Sequence, residues 1–342
     1  MANVSYVPRL IPSHGPPVDW AMVNLFDTRW SNINKTTGAL TDIGNVPLLG
    51  GTTAEIAWQP AGNYFVKCPG TIADPIILHR TGVTSIVNST TSPINWPSII
   101  SAAWASNDLF VAVGAVNLGI RAYSILRTGD TFAFVSSPFD VQPTATCRTV
   151  KITPNGNTCI IGQGFSGGVS MRTYSRSGNT WVQGSTYLVG TSGEADAVAI
   201  APNGVDVAVR ANTSNTLRTY TLSGTTLTQT NANIGSGTFT TDGALEYSLD
   251  GKYLYHMDAN TASHHAVYDV AANYTAVTLG VTQRAAGQLS WSPNGNFHVT
   301  SGAGGYRCYG YNSSTGGLTL LQTYSSGAGN YGASYSPDEF GV

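Results

Sequence analysis

The stretch from Lys151 to Gly168, KITPNGNTCIIGQGFSGG, contains a glycine pattern that could bind a dinucleotide. Gly162, Gly164 and Gly167 form G-x-G-x-x-G directly after an apolar run. In nucleotide-binding folds this turn opens a helix, because the helix N-terminus holds the pyrophosphate. The segment that follows, Val169 to Tyr174, instead aligns with apolar strands elsewhere in the chain. We therefore expect no cofactor at these glycines.

Carboxylates are a second group that could do chemistry, through acid–base catalysis. The chain has only four glutamates, Glu55, Glu194, Glu246 and Glu339. The first three precede short apolar runs, and Arg148 lies near the start of another. This spacing permits a small acidic site with a cation nearby. However, no G-x-S-x-G or other nucleophile motif accompanies it, so we predict no catalytic residues.

Histidines could supply a metal site if two imidazoles and a carboxylate converged on one ion. The segment 255–270 gathers His256, His264 and His265 with Asp258. His264 and His265 are adjacent in an extended stretch, so their side chains should point to opposite faces. We therefore interpret these residues as solvated loop histidines and predict no metal site.

The composition excludes several classes of protein. Of the 342 residues 10% are charged and 42% are hydrophobic, and the net charge is −2, so neither disorder nor nucleic-acid binding is expected. The N-terminus has no basic stretch before an apolar core, and no apolar run is long enough to span a bilayer. The cysteines form no C-x-x-C pair and are expected to be buried free thiols: Cys68, Cys147, Cys159 and Cys308.

The elements that must position these residues come from an internal repeat. A turn phrase such as ITPNGNT, IAPNGVD or WSPNGNF recurs seven times at intervals of 44 to 48 residues. Each copy contains an aromatic or aliphatic anchor directly before the turn: Trp58, Trp104, Ile152, Ile200, Tyr247, Trp291 and Tyr335. Short apolar strands flank the turn, and a polar hairpin ends each copy. Four strands in a repeat of this length are typical of a β-propeller blade.

The last repeat ends only seven residues after its anchor, Tyr335, so it lacks outer strands. The segment from Met22 to Gly44 resembles the outer strands of other repeats. We therefore predict an all-β, seven-bladed propeller whose last blade combines C-terminal inner strands with N-terminal outer strands. Residues 21–342 would form this single domain, after a Pro-rich arm at residues 1–20.

The phrases SPNGNF, SLDGKYL and RTGDTFAF resemble the WD40-like and lactonase-like (YVTN-type) propeller repeats. The likeness covers almost the whole chain after about residue 20, and its motifs imply a fold rather than an activity. Repeats of the RTGDTF kind, in a chain of this composition, are similar to those of bacteriophage virion proteins. In lactonase-type propellers, a few His, Glu and Arg residues lie over the central channel.

This resemblance favours a non-enzymatic interaction protein, a rigid platform located in a bacteriophage virion. The tail, baseplate or fibre region is preferred over capsid decoration. The alternatives are a lactonase-like hydrolase that uses the channel mouth and a carbohydrate-binding propeller. The expected partners are other virion proteins and a host-surface glycan. We expect no nucleic acid, membrane or cofactor.

The Pro-rich arm is the segment expected to bind other virion proteins. Its repeated prolines favour an extended conformation without a regular strand. Apolar side chains on an extended arm favour docking against another surface. The predicted interaction residues are Tyr6, Leu10, Ile11 and Trp20.

Overall fold

We describe the protein from a computed structural model. The structure describes residues 20–24, 29–34, 36–37, 39–45, 55–68, 76–80, 86–88, 99–116, 119–135, 137–142, 147–166, 169–189, 194–211, 216–234, 243–258, 266–277, 288–302, 305–325 and 333–335. All regular elements in these ranges are strands, and none of the described segments is a helix that could cross a bilayer.

The described strands form seven antiparallel sheets. Three sheets from the first half of the chain contain β4 (Glu55–Trp58), β5 (Tyr64–Cys68), β6 (Ile76–Arg80) and β7 (Ile86–Asn88); β8 (Ile99–Trp104), β9 (Leu109–Val116), β10 (Gly119–Thr128), β11 (Thr131–Phe134) and β12 (Asp140–Gln142); and β13 (Cys147–Ile152), β14 (Thr158–Ser166), β15 (Val169–Ser177) and β16 (Thr180–Tyr187).

Three sheets from the second half contain β17 (Ala195–Ile200), β18 (Asp206–Ala211), β19 (Thr216–Ser223) and β20 (Thr226–Asn231); β21 (Gly243–Tyr247), β22 (Tyr253–Asp258), β23 (Ala266–Asp269) and β24 (Thr275–Val277); and β25 (Gln288–Trp291), β26 (Phe297–Gly302), β27 (Gly305–Tyr311) and β28 (Leu318–Ser325). The remaining sheet has the order β29-β1-β2-β3, from β29 (Ala333–Tyr335), β1 (Trp20–Asn24), β2 (Arg29–Ile33) and β3 (Leu40–Asn45).

The first strand of each sheet lies against the first strand of the next, in the order β4, β8, β13, β17, β21, β25, β29 and back to β4. These innermost strands therefore surround one axis, and each ends at a repeat anchor. The prediction of an all-β propeller is confirmed. Closing the sheets into a ring leaves no open edge at the centre.

The sheet built from both ends of the chain is the composite sheet. Met22 of β1 pairs with Tyr335 of β29, so segments from both ends of the chain share one sheet, as predicted. The division of strands differs from the prediction, because among the described strands of this sheet only the innermost one, β29, comes from the C-terminal end. The N-terminal segment supplies the other three strands, and Trp20, assigned to the arm, begins β1 opposite Ile33.

The inner turns repeat the same local chemistry. The Thr153 hydroxyl accepts a hydrogen bond from the Thr158 N–H at 3.0 Å and donates one to Asn155 Oδ1 at 2.7 Å. Gly156 closes the turn with φ of 72°, a conformation that favours glycine. Ser248 and Ser292 make the same two hydrogen bonds in their own turns. In these three turns a Ser or Thr thus fixes where the second strand begins, whereas Gln59, Ala105 and Ala201 occupy the same position in other turns.

Gly162, from the glycine pattern in the third repeat, lies within β14, and β15 follows it. A Cβ on Gly162 would lie 2.5 Å from the carbonyl oxygen of Ala195 and 2.8 Å from Thr149 Cγ2. Glycine is therefore required here because the neighbouring sheet approaches the backbone closely. No helix follows the pattern, so the geometry needed to bind a pyrophosphate is missing.

Candidate active site in the central channel

An ion pair crosses the centre of the propeller. Glu55 is the first residue of β4, and its Oε1 lies 2.9 Å from Lys151 Nζ on β13. The sheet of β8 separates the sheets of these two strands. Side chains from sheets that are not neighbours can meet only near the axis, so this pair lies in the central channel. There the Lys151 side chain is 37% exposed to solvent, and the Glu55 side chain is 16% exposed.

Ser101, on the intervening strand β8, connects Glu55 to the backbone of β13 through two hydrogen bonds. Its hydroxyl donates a short hydrogen bond to Glu55 Oε2 and accepts one from the Val150 N–H at 3.0 Å. Ser101 is 1% exposed. Both oxygens of Glu55 are therefore bound, one by Ser101 and one by Lys151.

Glu246, on β21, is the third titratable residue of this group. Burial raises the pKa of Glu246 to about 8; Lys151 opposes this rise and Glu55 adds to it. Burial also lowers the pKa of Lys151, but the Glu55 carboxylate, helped by Glu246, outweighs burial and places that pKa above its ordinary value. Near neutral pH the site therefore holds a lysine ammonium bound to Glu55 and a largely protonated Glu246.

Repeat position explains how these residues meet. Lys151 and Glu246 each stand one residue before an anchor, Ile152 or Tyr247. Glu55 and Ser101 each stand three residues before one. Side chains two residues apart on a strand share a face, so both positions point the same way from every innermost strand.

Two further ion pairs lie towards the start of the innermost strands. Arg148 Nη2 lies 2.9 Å from Glu194 Oε2, and both side chains are about one-third exposed. Arg210 binds Asp196 through Nη2 at 2.6 Å and through Nε at 3.1 Å, and this pair is buried, at 0% and 2% exposure. The first pair joins the sheet of β13 to the start of the sheet of β17, whereas the second lies within the sheet of β17 and β18.

The group of Glu55, Lys151 and Glu246 has the parts of a hydrolytic site. A lysine ammonium can polarise a carbonyl group, and a carboxyl group with a pKa near neutrality can transfer protons efficiently. A perturbed pKa inside a channel is also a recognised sign of a functional site. The arrangement suits the attack of water on a carbonyl carbon.

The sequence indicated part of this site. Glu55 and Glu246, identified as possible members of an acidic mouth, meet around Lys151, whereas Glu194 pairs with Arg148 instead. Lys151 and Ser101 were missed. The signal that could have found them is the repeat position, because Lys151 occupies the position of Glu246 and Ser101 that of Glu55 relative to the anchors.

The predicted interaction residues Tyr6, Leu10 and Ile11 lie outside the described residues, as does Glu339. Trp20 begins β1. Docking of the N-terminal arm therefore stays a prediction.

The described histidines and cysteines form no metal site. His256 is buried on β22, so its interpretation as a solvated loop histidine is wrong, and His264 and His265 lie outside the described ranges. Across the segments that the structure describes, no group of three or more His, Cys, Asp or Glu residues could hold a metal ion. Cys68, Cys159 and Cys308 are buried and form no disulfide within the described segments.

Comparisons with known proteins identify the fold. No family model matches the sequence, and no curated protein does so significantly. Among solved structures, a candidate 6-phosphogluconolactonase from Bacteroides uniformis ATCC 8492 is similar, with a TM-score of 0.75 and 14% identity over 93% of this chain and 99% of that one. One from Bacteroides fragilis NCTC 9343 has a TM-score of 0.76 and 12% identity over 93% and 98% of the two chains.

A periplasmic gluconolactonase from Pseudomonas aeruginosa is also similar, with a TM-score of 0.70 and 10% identity over 94% of this chain and 99% of that one. Identities this low show the fold alone. The three similar structures named here are lactonases by name, which contradicts the prediction of a non-enzymatic bacteriophage virion component and favours its alternative, a lactonase-like hydrolase. Location in a virion and binding to virion proteins or a host glycan stay untested predictions.

Proposed function

We propose that the chain is a seven-bladed, lactonase-like hydrolase whose active site is the group of Glu55, Lys151 and Glu246. The observation that carries the proposal is the ion pair of Lys151 with Glu55 in the channel, 2.9 Å long, whose ammonium also acts electrostatically on the largely protonated Glu246. The likeness of the fold to lactonases supports it and suggests the substrate class, the cyclic ester of a sugar acid.

Each residue has a distinct role in the proposed reaction. Lys151 polarises the carbonyl oxygen of the lactone and stabilises the negative charge that develops as water attacks the carbonyl carbon. Glu55 keeps the ammonium charged and in place. Glu246 donates its proton to the ring oxygen as the bond between the carbonyl carbon and that oxygen breaks. The product is the open hydroxy acid, and the proton lost by water restores Glu246.

The test measures the hydrolysis of glucono-1,5-lactone and of its 6-phosphate by pH-stat titration. The rate with the protein is compared with the rate in buffer alone. Removing the proton donor in Glu246→Gln should lower kcat by about 100-fold or more. Removing the cation in Lys151→Met should have a similar effect. Asp108→Asn, a charge-matched control at an exposed turn, should leave kcat unchanged.

The pH profile adds a second readout. The pKa of Glu246 is about 8, so activity that needs its proton should be level near neutrality and fall as the pH rises through about 8. Glu246→Gln should lack this limb. If the wild-type protein hydrolyses neither lactone faster than buffer, or if Glu246→Gln retains full activity, the proposal is wrong.

A further inference from the structure

Ser101 lies where three innermost strands meet, and its hydroxyl uses both its proton and an acceptor site. We propose that Ser101 is a positioning residue that holds the Glu55 carboxylate against Lys151 and thereby keeps the ammonium from pairing with Glu246. This role rests on the proposed function only where it concerns catalysis. Its electrostatic part can be measured without any substrate.

The geometry leaves the hydroxyl little freedom. The Val150 N–H donates to the Ser101 oxygen at 3.0 Å, which directs the hydroxyl proton towards Glu55 Oε2. Val150 directly precedes Lys151, so the same hydroxyl connects Glu55 to the backbone that carries its partner. With Oε2 occupied, Glu55 presents Oε1 to the ammonium at 2.9 Å.

Glu246 is left in a contrasting position. Its Oε2 is buried and has no hydrogen-bond partner among the described residues. The charged groups that act on it are Lys151 and Glu55. Of the strands packed against β21, β17 contributes Asp196 and β18 contributes Arg210, which bind each other, together with Asp206 at the start of β18; β25 contributes no charged residue.

The remaining neighbour of β21 is β22, which contains four titratable side chains, those of Tyr253, Tyr255, His256 and Asp258. In the strand register, Glu246 pairs with Tyr255. His256 pairs with Leu245, and Asp258 pairs with Gly243 at the far end. The ammonium of Lys151 is thus the cation that can redistribute towards Glu246.

Loss of the Ser101 hydroxyl should therefore change how the two carboxylates share this ammonium. In Ser101→Ala, Oε2 of Glu55 loses its hydrogen bond, the carboxylate can rotate, and Lys151 can approach Glu246. An opposite charge at close range lowers the pKa of a carboxyl group by about 1 unit or more. We expect the pKa of Glu246, and the alkaline limb of any lactonase profile, to move down by about 1 unit.

The experiment is a pH titration of the whole protein labelled with ¹³C at the Glu carboxyl carbon. The chain has only four glutamates, so Glu246 can be assigned from the signal missing in Glu246→Gln. The variants are Ser101→Ala and Ser101→Thr, which keeps the hydroxyl. If the alanine variant does not fold, Ser101→Cys replaces it, because a thiol is only a weak donor. Ser124→Ala is the matched control, since Ser124 is a buried serine that donates to the Asn179 carbonyl at 2.6 Å.

A downward shift in Ser101→Ala that is absent in Ser101→Thr and Ser124→Ala supports the proposal. An unchanged titration in Ser101→Ala, or an equal shift in Ser124→Ala, would overturn it. So would a Ser101→Thr variant that titrates like the alanine variant. A protein that shows the shift yet hydrolyses no lactone would overturn the proposed function and retain the positioning role.

Discussion

The side-chain amide of Gln288 makes two hydrogen bonds with the backbone of Ile56. Gln288 Oε1 accepts from the Ile56 N–H at 3.3 Å, and Gln288 Nε2 donates to the Ile56 carbonyl at 3.1 Å. Gln288 is on β25 and Ile56 on β4, the innermost strands on either side of the composite sheet. The amide therefore bridges the two sheets that flank the place where the ring closes.

Replacing this amide should weaken ring closure. Gln288→Leu removes both hydrogen bonds and leaves two partly buried backbone groups without this partner, so we expect the free energy of unfolding to fall by about 1–3 kcal/mol. Urea denaturation measures the loss. Gln183→Leu, at an exposed position on β16, is the control and should change little. Equal midpoints for the two variants would contradict the bridging role.

His298 should make the protein sensitive to acid. Burial lowers the pKa of His298 to about 3 from an ordinary value of 6.5. The unfolded chain therefore binds the proton more strongly, and this residue's contribution to stability is lost as the pH falls from 6.5 towards 3. At pH 5 the loss is about 2 kcal/mol. His298→Phe should show a smaller difference between urea midpoints at pH 7 and pH 5 than wild type; an identical difference would exclude this role.

Glu246 should make the protein less stable as the pH rises, whereas His298 makes it less stable as the pH falls. Its folded-state pKa of about 8 lies above the ordinary 4.5, so the folded protein binds this proton more strongly. The contribution is complete below pH 4.5 and is lost as the pH rises through about 8. Glu246→Gln should therefore be more stable than wild type at pH 8, by about 2–4 kcal/mol, and equal to it at pH 4. Thermal unfolding at the two pH values checks this, and a variant less stable at pH 8 would refute it.

The close approach at Gly162 should make a small substitution costly. A Cβ there would collide with the Ala195 carbonyl oxygen, so Gly162→Ala should destabilise the protein by about 1–3 kcal/mol. Gly310 on β27 is the matched control, because a Cβ there would lie 3.7 Å from Leu321, at ordinary contact distance. Denaturation midpoints compare the two. Equal losses of stability in the two variants would show that the close approach of Ala195 is not the reason why glycine is required at position 162.

The buried pair of Asp196 and Arg210 allows the cost of burying a charge without its partner to be compared with that of burying both charges together. Arg210→Met should cost about 3–5 kcal/mol, because it leaves a buried carboxylate without its partner. Adding Asp196→Leu should recover most of this loss, since two apolar side chains can replace a buried ion pair. A double-mutant cycle by urea denaturation gives the coupling. Additive losses would show that the two charges do not depend on each other.

The repeat in the sequence predicted the propeller because each blade is a local unit, and turn chemistry is readable within one repeat. The anchors Trp58, Trp104 and Tyr247 each end an innermost strand. The site was harder to predict, since Glu55 and Lys151 come from sheets that are not neighbours, and their meeting depends on the ring as a whole. The division of the composite sheet was missed because β1 pairs directly with β29, which no pattern within a single repeat reveals.

The pairing of Met22 with Tyr335 joins residues more than 300 positions apart. During synthesis, one edge of β1 therefore stays unpaired until β29 has left the ribosome. Contacts between such distant residues form slowly, because a long loop must close before any binding energy is gained. The seam between β1 and β29 should consequently be the last part of the molecule to assemble, and the growing chain is most exposed to intermolecular strand pairing at this edge.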